Sequence, residues 1–153
     1  EQMSEIAISA ARVVRLFGFD PKVAFVSHST FGQPVTSRTK HIRKAVDILK
    51  EKNVDFEFDG DMQPDVALNK EYKSLYPFSN IVGNANILIM PGQHSAAISY
   101  KMMKELGDTK VIGPLLIGLG LPIEIAPLRT STSELINLAS IAAYSADVID
   151  YKK

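Results

Sequence analysis

The sequence predicts an α/β fold: a mainly parallel sheet with helices on both faces. Three observations predict it. Short, continuous apolar runs alternate with amphipathic stretches of helical length. The runs are apolar on consecutive residues, as strands buried on both faces are. Each run leads into a polar, Gly- or Pro-bearing loop and then a helical pattern, the order of a strand–helix–strand crossover.

The elements follow in order. Ile6, Ala10, Val13, Val14 and Phe17 recur at helical spacing, predicting an amphipathic helix over 2–17 that ends at Gly18, with Pro21 beyond. Val23, Ala24, Phe25 and Val26 read as a buried strand. Residues 27–37 are polar and hold Gly32 and Pro34, so they form a loop. Ile42, Ala45, Val46 and Leu49 mark a helix over about 38–52. Residues 55–59 read as a second strand that turns at Gly60, and 63–75 as two short helices. Ile87, Leu88, Ile89 and Met90 make another buried strand, stopped by Pro91 and Gly92. Residues 96–106 read as a helix ended by Gly107, and 110–116 as a strand. Ser131 or Ser133 caps a last helix with Glu134 in its first turn, and Leu135, Leu138, Ala139, Ala142 and Ala146 form its apolar stripe.

Composition narrows the function. The chain has 153 residues, 17 Lys and Arg against 17 Asp and Glu, 46% hydrophobic and 22% charged residues. That is a globular balance with enough length for a sizeable core. Zero net charge supplies no electrostatic footprint for nucleic acid, so no nucleic-acid partner is expected. The absence of Cys excludes disulfides, thiolate metal sites and a Cys nucleophile, and accords with a reducing compartment. The longest apolar run, 111–119, is interrupted by Gly113, Pro114 and Gly118, so no membrane span is expected. The start at Glu1 and Gln2 has no signal-peptide pattern and no initiator Met. We therefore expect a cytoplasmic protein of which this chain is a part.

Ligands of parallel sheets bind outside the carboxyl ends of the strands. By this reading those ends are residues 27–32, 59–63, 91–95 and 117–122. Ser27, His28, Ser29, Thr30, Phe31 and Gly32 combine hydroxyls, an imidazole and backbone amides suited to a phosphate or carbonyl oxygen. Read as plain structure, they are a polar loop whose hydroxyls cap turns. Arg38, Lys40, Arg43 and Lys44 oppose the dipole of the helix they begin, a conflict an anionic ligand such as an acyl carrier with phosphates would relieve. Their structural reading is a solvated face partnered by Asp47 and Glu51. Pro91, Gly92, Gln93, His94 and Ser95 leave a strand and open a helix, where an anion can sit. The structural reading is a plain helix start with Gln93 or Ser95 near the cap. His28, His41 and His94 show no metal-ligand spacing, so no metal is expected. Gly118, Gly120 and Pro122 lack the rest of a dinucleotide fingerprint and read as a turn.

Four stretches in order, residues 23–32, 58–63, 86–91 and 113–119, resemble the phosphate acetyl/butyryltransferase family along nearly the whole chain. The Ser-His-Ser-Thr-Phe-Gly loop and the Ala-Ala-Ile-Ser-Tyr run from Ala96 to Tyr100 are similar to one branch. That branch is the carboxy-terminal region of bacterial multidomain NADP-dependent malic enzymes. The resemblance implies one transferase-like lobe over 1–153, with the second lobe at about 18–125. The last helix, about 131–150, would pack on a first lobe that this chain lacks. It implies acetyl-CoA as an effector bound by Ser27, His28, Ser29, Thr30, Gly32, Pro91, Gly92, Gln93 and Ser95, with Arg38 and Lys40 assisting. NADP and a divalent metal would belong to the amino-terminal part. It also implies a homo-oligomer, at least a dimer. Transferases carry a Pro-Val-Asn-Asp-Leu-Ser-Arg-Gly type segment before the last helix. Here its Ser falls on Pro127 and its Arg on Leu128, with Arg129 one place off and the following Asp falling on Glu134. The expectation is therefore a regulatory region without catalytic residues. A working acyltransferase lobe and a purely assembling module are the alternatives.

Overall fold

A computed structural model describes residues 1–108 and 110–148. The chain divides into two units, Glu1–Ser99 and Tyr100–Lys153. The first is built on a three-stranded parallel sheet of β1 (Lys22–Val26), β2 (Glu57–Met62) and β3 (Ile87–Ile89), ordered β2-β1-β3. Lys22 pairs with Glu57 and Phe25 with Gly60 on one side of β1, and Val23 pairs with Ile87 on the other. All three strands run the same way, so their carboxyl ends share one edge of the sheet. The α/β class and the parallel order expected from the sequence are those observed.

Alternation along β1 splits the core in two. Val23 and Phe25 are buried with Ile87 and Ile89 under α1 (Gln2–Leu16) and α2 (Ser37–Glu51). Ala24 faces the other way, among Met62, Val66, Ala67, Ile81 and Ala85, under α3 (Pro64–Leu68). The short helix α4 (Lys70–Lys73) follows α3. Phe25 is wholly buried, worth about 1.5–3 kcal/mol. Thr36 and Thr39 close a capping box at the start of α2, and Ile42, Ala45, Val46 and Leu49 form its buried face.

Helix α1 is where expected, but its buried face is not the large apolar stripe. Ser4, Ala7 and Ala11 are buried, whereas Ile6 is 51% and Phe17 47% exposed. Small side chains let the helix lie close on α2 and β3, and spacing alone does not say which of two apolar rows comes nearest. Ion pairs of Glu5 with Lys52 and of Arg15 with Asp55, the latter at 2.9 Å, join its exposed flank to the end of α2 and the residues beyond.

Two strand expectations are corrected. The second strand is not 55–59 ending in a turn at Gly60: it runs Glu57–Met62 with Gly60 inside it. Gly60 has φ 151°, and a Cβ there would stand 2.7 Å from the Phe25 Cβ and 2.8 Å from its carbonyl oxygen. The glycine serves close approach of two strands. Residues 110–116, expected as a strand, hold only a single antiparallel bridge, between Leu115 and Glu124. Pro114 has no N–H to give a ladder and interrupts the run at its centre.

The second unit takes up the later part of α5 (Gln93–Leu106), residues 110–130, and α6 (Thr132–Val148). Ser131, not Ser133, caps α6: its amide donates to Glu134 Oε2 at 2.7 Å and the Glu134 amide donates back to Ser131 Oγ at 3.3 Å. Of the expected stripe on α6 only Leu138 is buried, and Leu135 is 46% exposed. The expected end of this helix at 150 lies outside the described residues. Among the described residues no helix is long and apolar enough to cross a membrane.

Candidate functional site

The loop after β1 is folded inward onto the end of β2. The Ser27 amide donates to the Met62 carbonyl at 2.9 Å and the Phe31 amide to the Asp61 carbonyl at 2.6 Å. Gln63 donates twice, from its amide to Thr30 Oγ1 at 3.2 Å and from Nε2 to the His28 carbonyl at 2.9 Å. Asp61 lies at the centre, with no exposed surface. One carboxylate oxygen accepts from the Ser29 hydroxyl and, at 3.3 Å, from the Gly32 amide; the other accepts from Arg43 Nε at 3.1 Å. A buried carboxylate is tolerated because three donors, one of them a cation, surround it. Phe31 sits at φ 50° and Gly32 at φ 81° to make this turn. A Cβ at Gly32 would come within 2.6 Å of Arg43 Cζ, so only glycine lets the guanidinium lie against the loop.

This arrangement sorts the expected site residues. Ser27, Ser29, Thr30 and Gly32 are brought together, but they are buried. The Ser29 hydroxyl is spent on Asp61 and faces no solvent, because the loop closes over the ends of β1 and β2. His28 projects from the loop into solvent. Arg38 and Lys40 are exposed on the first turn of α2, without a hydrogen-bond or ion-pair partner among the described residues. Pro91, Gly92 and Gln93 are exposed at the end of β3 and the start of α5, and the Ser95 hydroxyl donates to the Gly92 carbonyl at 2.8 Å. Among the described residues no hydrogen bond ties 91–95 to 27–33.

Three residues of this site were not candidates from spacing: Asp61, Arg43 as a partner of Asp61, and Gln63. Arg43 does not belong to the solvated face with Asp47 and Glu51; it reaches across to β2, while Asp47 is 3.7 Å from Lys50. The signal for Asp61 was its place in the 58–63 stretch that carries the family resemblance.

Below β2, Asp59 accepts from the Gly60 amide at 2.9 Å and the Asn80 amide at 2.7 Å, which seats residues 78–82 on this face. Phe31 and Phe78 meet edge to face there, with centroids 4.8 Å apart. Lys73 is buried and donates to the Gly83 carbonyl at 3.1 Å. Burial pushes its ammonium below the usual lysine range, against the opposing pull of Asp59 and Glu57. In the second unit, Lys104, Arg129, Glu134 and Asn137 line a small cavity, with Lys104 3.6 Å from Glu134. Hydrogen bonds from the Ser131 amide and hydroxyl hold the Glu134 carboxyl below its usual range.

Residues 1–143 match the phosphate acetyl/butaryl transferase family model. The chain belongs to this family. It is 49% identical over 146 residues to an NADP-dependent malic enzyme of Rhizobium meliloti, covering 95% of this chain and 19% of that protein. It is 33% identical to a phosphate acetyltransferase of Clostridium acetobutylicum, covering 95% of this chain and 44% of the relative. A solved phosphotransacetylase from Streptococcus pyogenes superposes with a TM-score of 0.89 at 34% identity, over 95% of this chain and 44% of that one. The family and the malic-enzyme branch are those the motifs resembled. The chain spans about a fifth of the malic enzyme and under half of the transferases.

Proposed function

We propose that this family member is the acetyl-CoA-sensing, non-catalytic regulatory region of a cytoplasmic, homo-oligomeric NADP-dependent malic enzyme. One observation carries the reading: Pro127 and Leu128 stand where the transferase pattern places Ser and Arg. Neither side chain donates a hydrogen bond to a phosphate or acetyl oxygen, and Leu128 is fully exposed. The 49% identity to the Rhizobium meliloti malic enzyme supports it. On this reading NADP and the divalent metal belong to parts of the protein outside this chain.

The acyl-CoA is held at the carboxyl ends of the strands. His28, Gly92 and Gln93 are its accessible contacts, with Pro91 and Ser95 shaping the second loop. Arg38 and Lys40 supply charge. Ser27, Ser29, Thr30 and Gly32 act by setting the shape of the first loop. Regulation requires that acetyl-CoA bind two states of the oligomer unequally, a coupling of about 1–3 kcal/mol. The test is titration of the intact protein with acetyl-CoA, following malate-dependent NADPH formation and binding together. A change in rate that saturates with binding supports the reading; binding with no change in rate refutes the regulatory role.

The second reading is a phosphate acetyl- or butyryltransferase, favoured by the likeness to the Streptococcus pyogenes phosphotransacetylase. Phosphate-dependent acetyl transfer in the same titration decides for it.

A further inference from the structure

Beside the loop, Arg43, Lys50, Phe31, Phe78 and Asn80 line a cavity of about 360 Å³ in the first unit. Arg43 is held at one edge only. Its Nε donates to buried Asp61, its side chain is 43% exposed, and among the described residues its two terminal nitrogens donate to nothing. A guanidinium hydrogen-bonded through Nε to a carboxylate and lying against Gly32, its outer nitrogens without a hydrogen-bond partner among the described residues, can fork onto a phosphate. Gly32 keeps the loop from displacing it. Lys50 lies two helical turns along the same face of α2 and lines the same cavity, paired with Asp47 at 3.7 Å. Asp47 and Asp59 also line the cavity, and Asp59 accepts two backbone amides. Phe78 is 63% exposed and offers a ring face to a planar group. The volume falls in the ~300–1,000 Å³ range of small-molecule pockets and exceeds the needs of a lone phosphate.

We propose that Arg43, aimed by Asp61, is the phosphate-recognising residue of this site, and that the cavity takes a nucleotide-type phosphate ester with its base against Phe78. The proposal rests on the acyl-CoA reading, since the nucleotide end of coenzyme A is such an ester.

The experiment is calorimetric titration of the intact protein, wild type and variants, with acetyl-CoA, adenosine 3′,5′-bisphosphate and inorganic phosphate. Arg43→Lys keeps the charge and loses the fork; it is expected to weaken acetyl-CoA and the bisphosphate by about tenfold. The bisphosphate is expected to compete with acetyl-CoA. Phe78→Ala, at an exposed position, is expected to weaken both ring-bearing ligands and leave inorganic phosphate unaffected, which keeps the proposal open to refutation if Arg43→Lys does not fold. Acetyl-CoA binding that ignores both substitutions overturns the proposal and leaves the acyl-CoA reading standing. Arg43-dependent binding of the bisphosphate with none of acetyl-CoA overturns that reading and upholds the phosphate site. Binding of no ligand overturns both.

Discussion

Asp61 Oδ1 lies 3.1 Å from Arg43 Nε, and this pair joins β2 to α2 beneath the loop that leaves β1. The carboxylate has no exposed surface, whereas the arginine is 43% exposed. The two ends of the pair are therefore unequal. Asp61 depends on its donors, and Arg43 can turn to water.

Removing Asp61 strands the donors that it satisfies. Asp61→Ala leaves the Ser29 hydroxyl and Gly32 amide buried without an acceptor, at about 1–3 kcal/mol each. Chemical denaturation should show a loss of that size. Arg43→Ala leaves Asp61 two of its donors, and a double-mutant cycle of the two should return a coupling of about 0.5–3 kcal/mol. Additive losses would mean that the pair does not bind the loop to the helix.

The two glycines of the site should respond differently to alanine. At Gly60 the new methyl meets Phe25 backbone and Cβ, which cannot move without breaking the β1–β2 ladder, and φ is 151°. A loss of roughly 2 kcal/mol or more is expected. At Gly32 the obstacle is the far end of a flexible arginine, so Gly32→Ala should cost about 1 kcal/mol from its φ of 81°. Melting curves of the two variants give the order, and a larger loss at Gly32 would contradict this packing.

Helix α6 should lose support in acid. The Glu134 carboxyl titrates below 4.5 in the folded chain, first because of the Ser131 amide and then its hydroxyl. A lowered folded value contributes stability that is fully present above the unfolded value and is lost as pH falls through the folded one. Ser131→Ala removes the hydroxyl, so the Glu134 titration followed by NMR should move up towards 4.5. An unmoved titration would show that the hydroxyl plays no part.

Lys73 acts with the opposite sign. Its folded value lies below 10.5 because burial disfavours the ammonium. Between the folded value and 10.5 the unfolded chain binds more protons, so stability contributed by this group rises with pH through that window. Lys73→Met should flatten the alkaline slope of unfolding free energy against pH. A slope equal to that of the wild type would assign it to other groups.

Much of the fold was legible because its signals are local. The apolar run at Val23 to Val26 and the helical spacing of Ile42, Ala45, Val46 and Leu49 each lie within a few residues and appear where expected, and the cap of α6 is Ser131, one of the two candidates. The failures are equally local in cause. Val111 to Leu116 is apolar enough for a strand, but Pro114 denies it a ladder. Gly60 looked like a turn because composition does not distinguish a residue that bends the chain from one that lets two strands touch.

The site was legible in position and not in detail. The sequence by itself determined that an α/β sheet would present residues 27–32 and 91–95 at its carboxyl edge, because strand direction and loop composition follow from short-range pattern. Only the tertiary structure decided that Ser29 turns inward, that Asp61 gathers it with Gly32 and Arg43, and that Gln63 spans to His28. These partners are 18 to 35 residues apart in sequence. They become neighbours only when β2 pairs with β1 in one register, and the buried carboxylate of Asp61 then accepts from Ser29, Gly32 and Arg43.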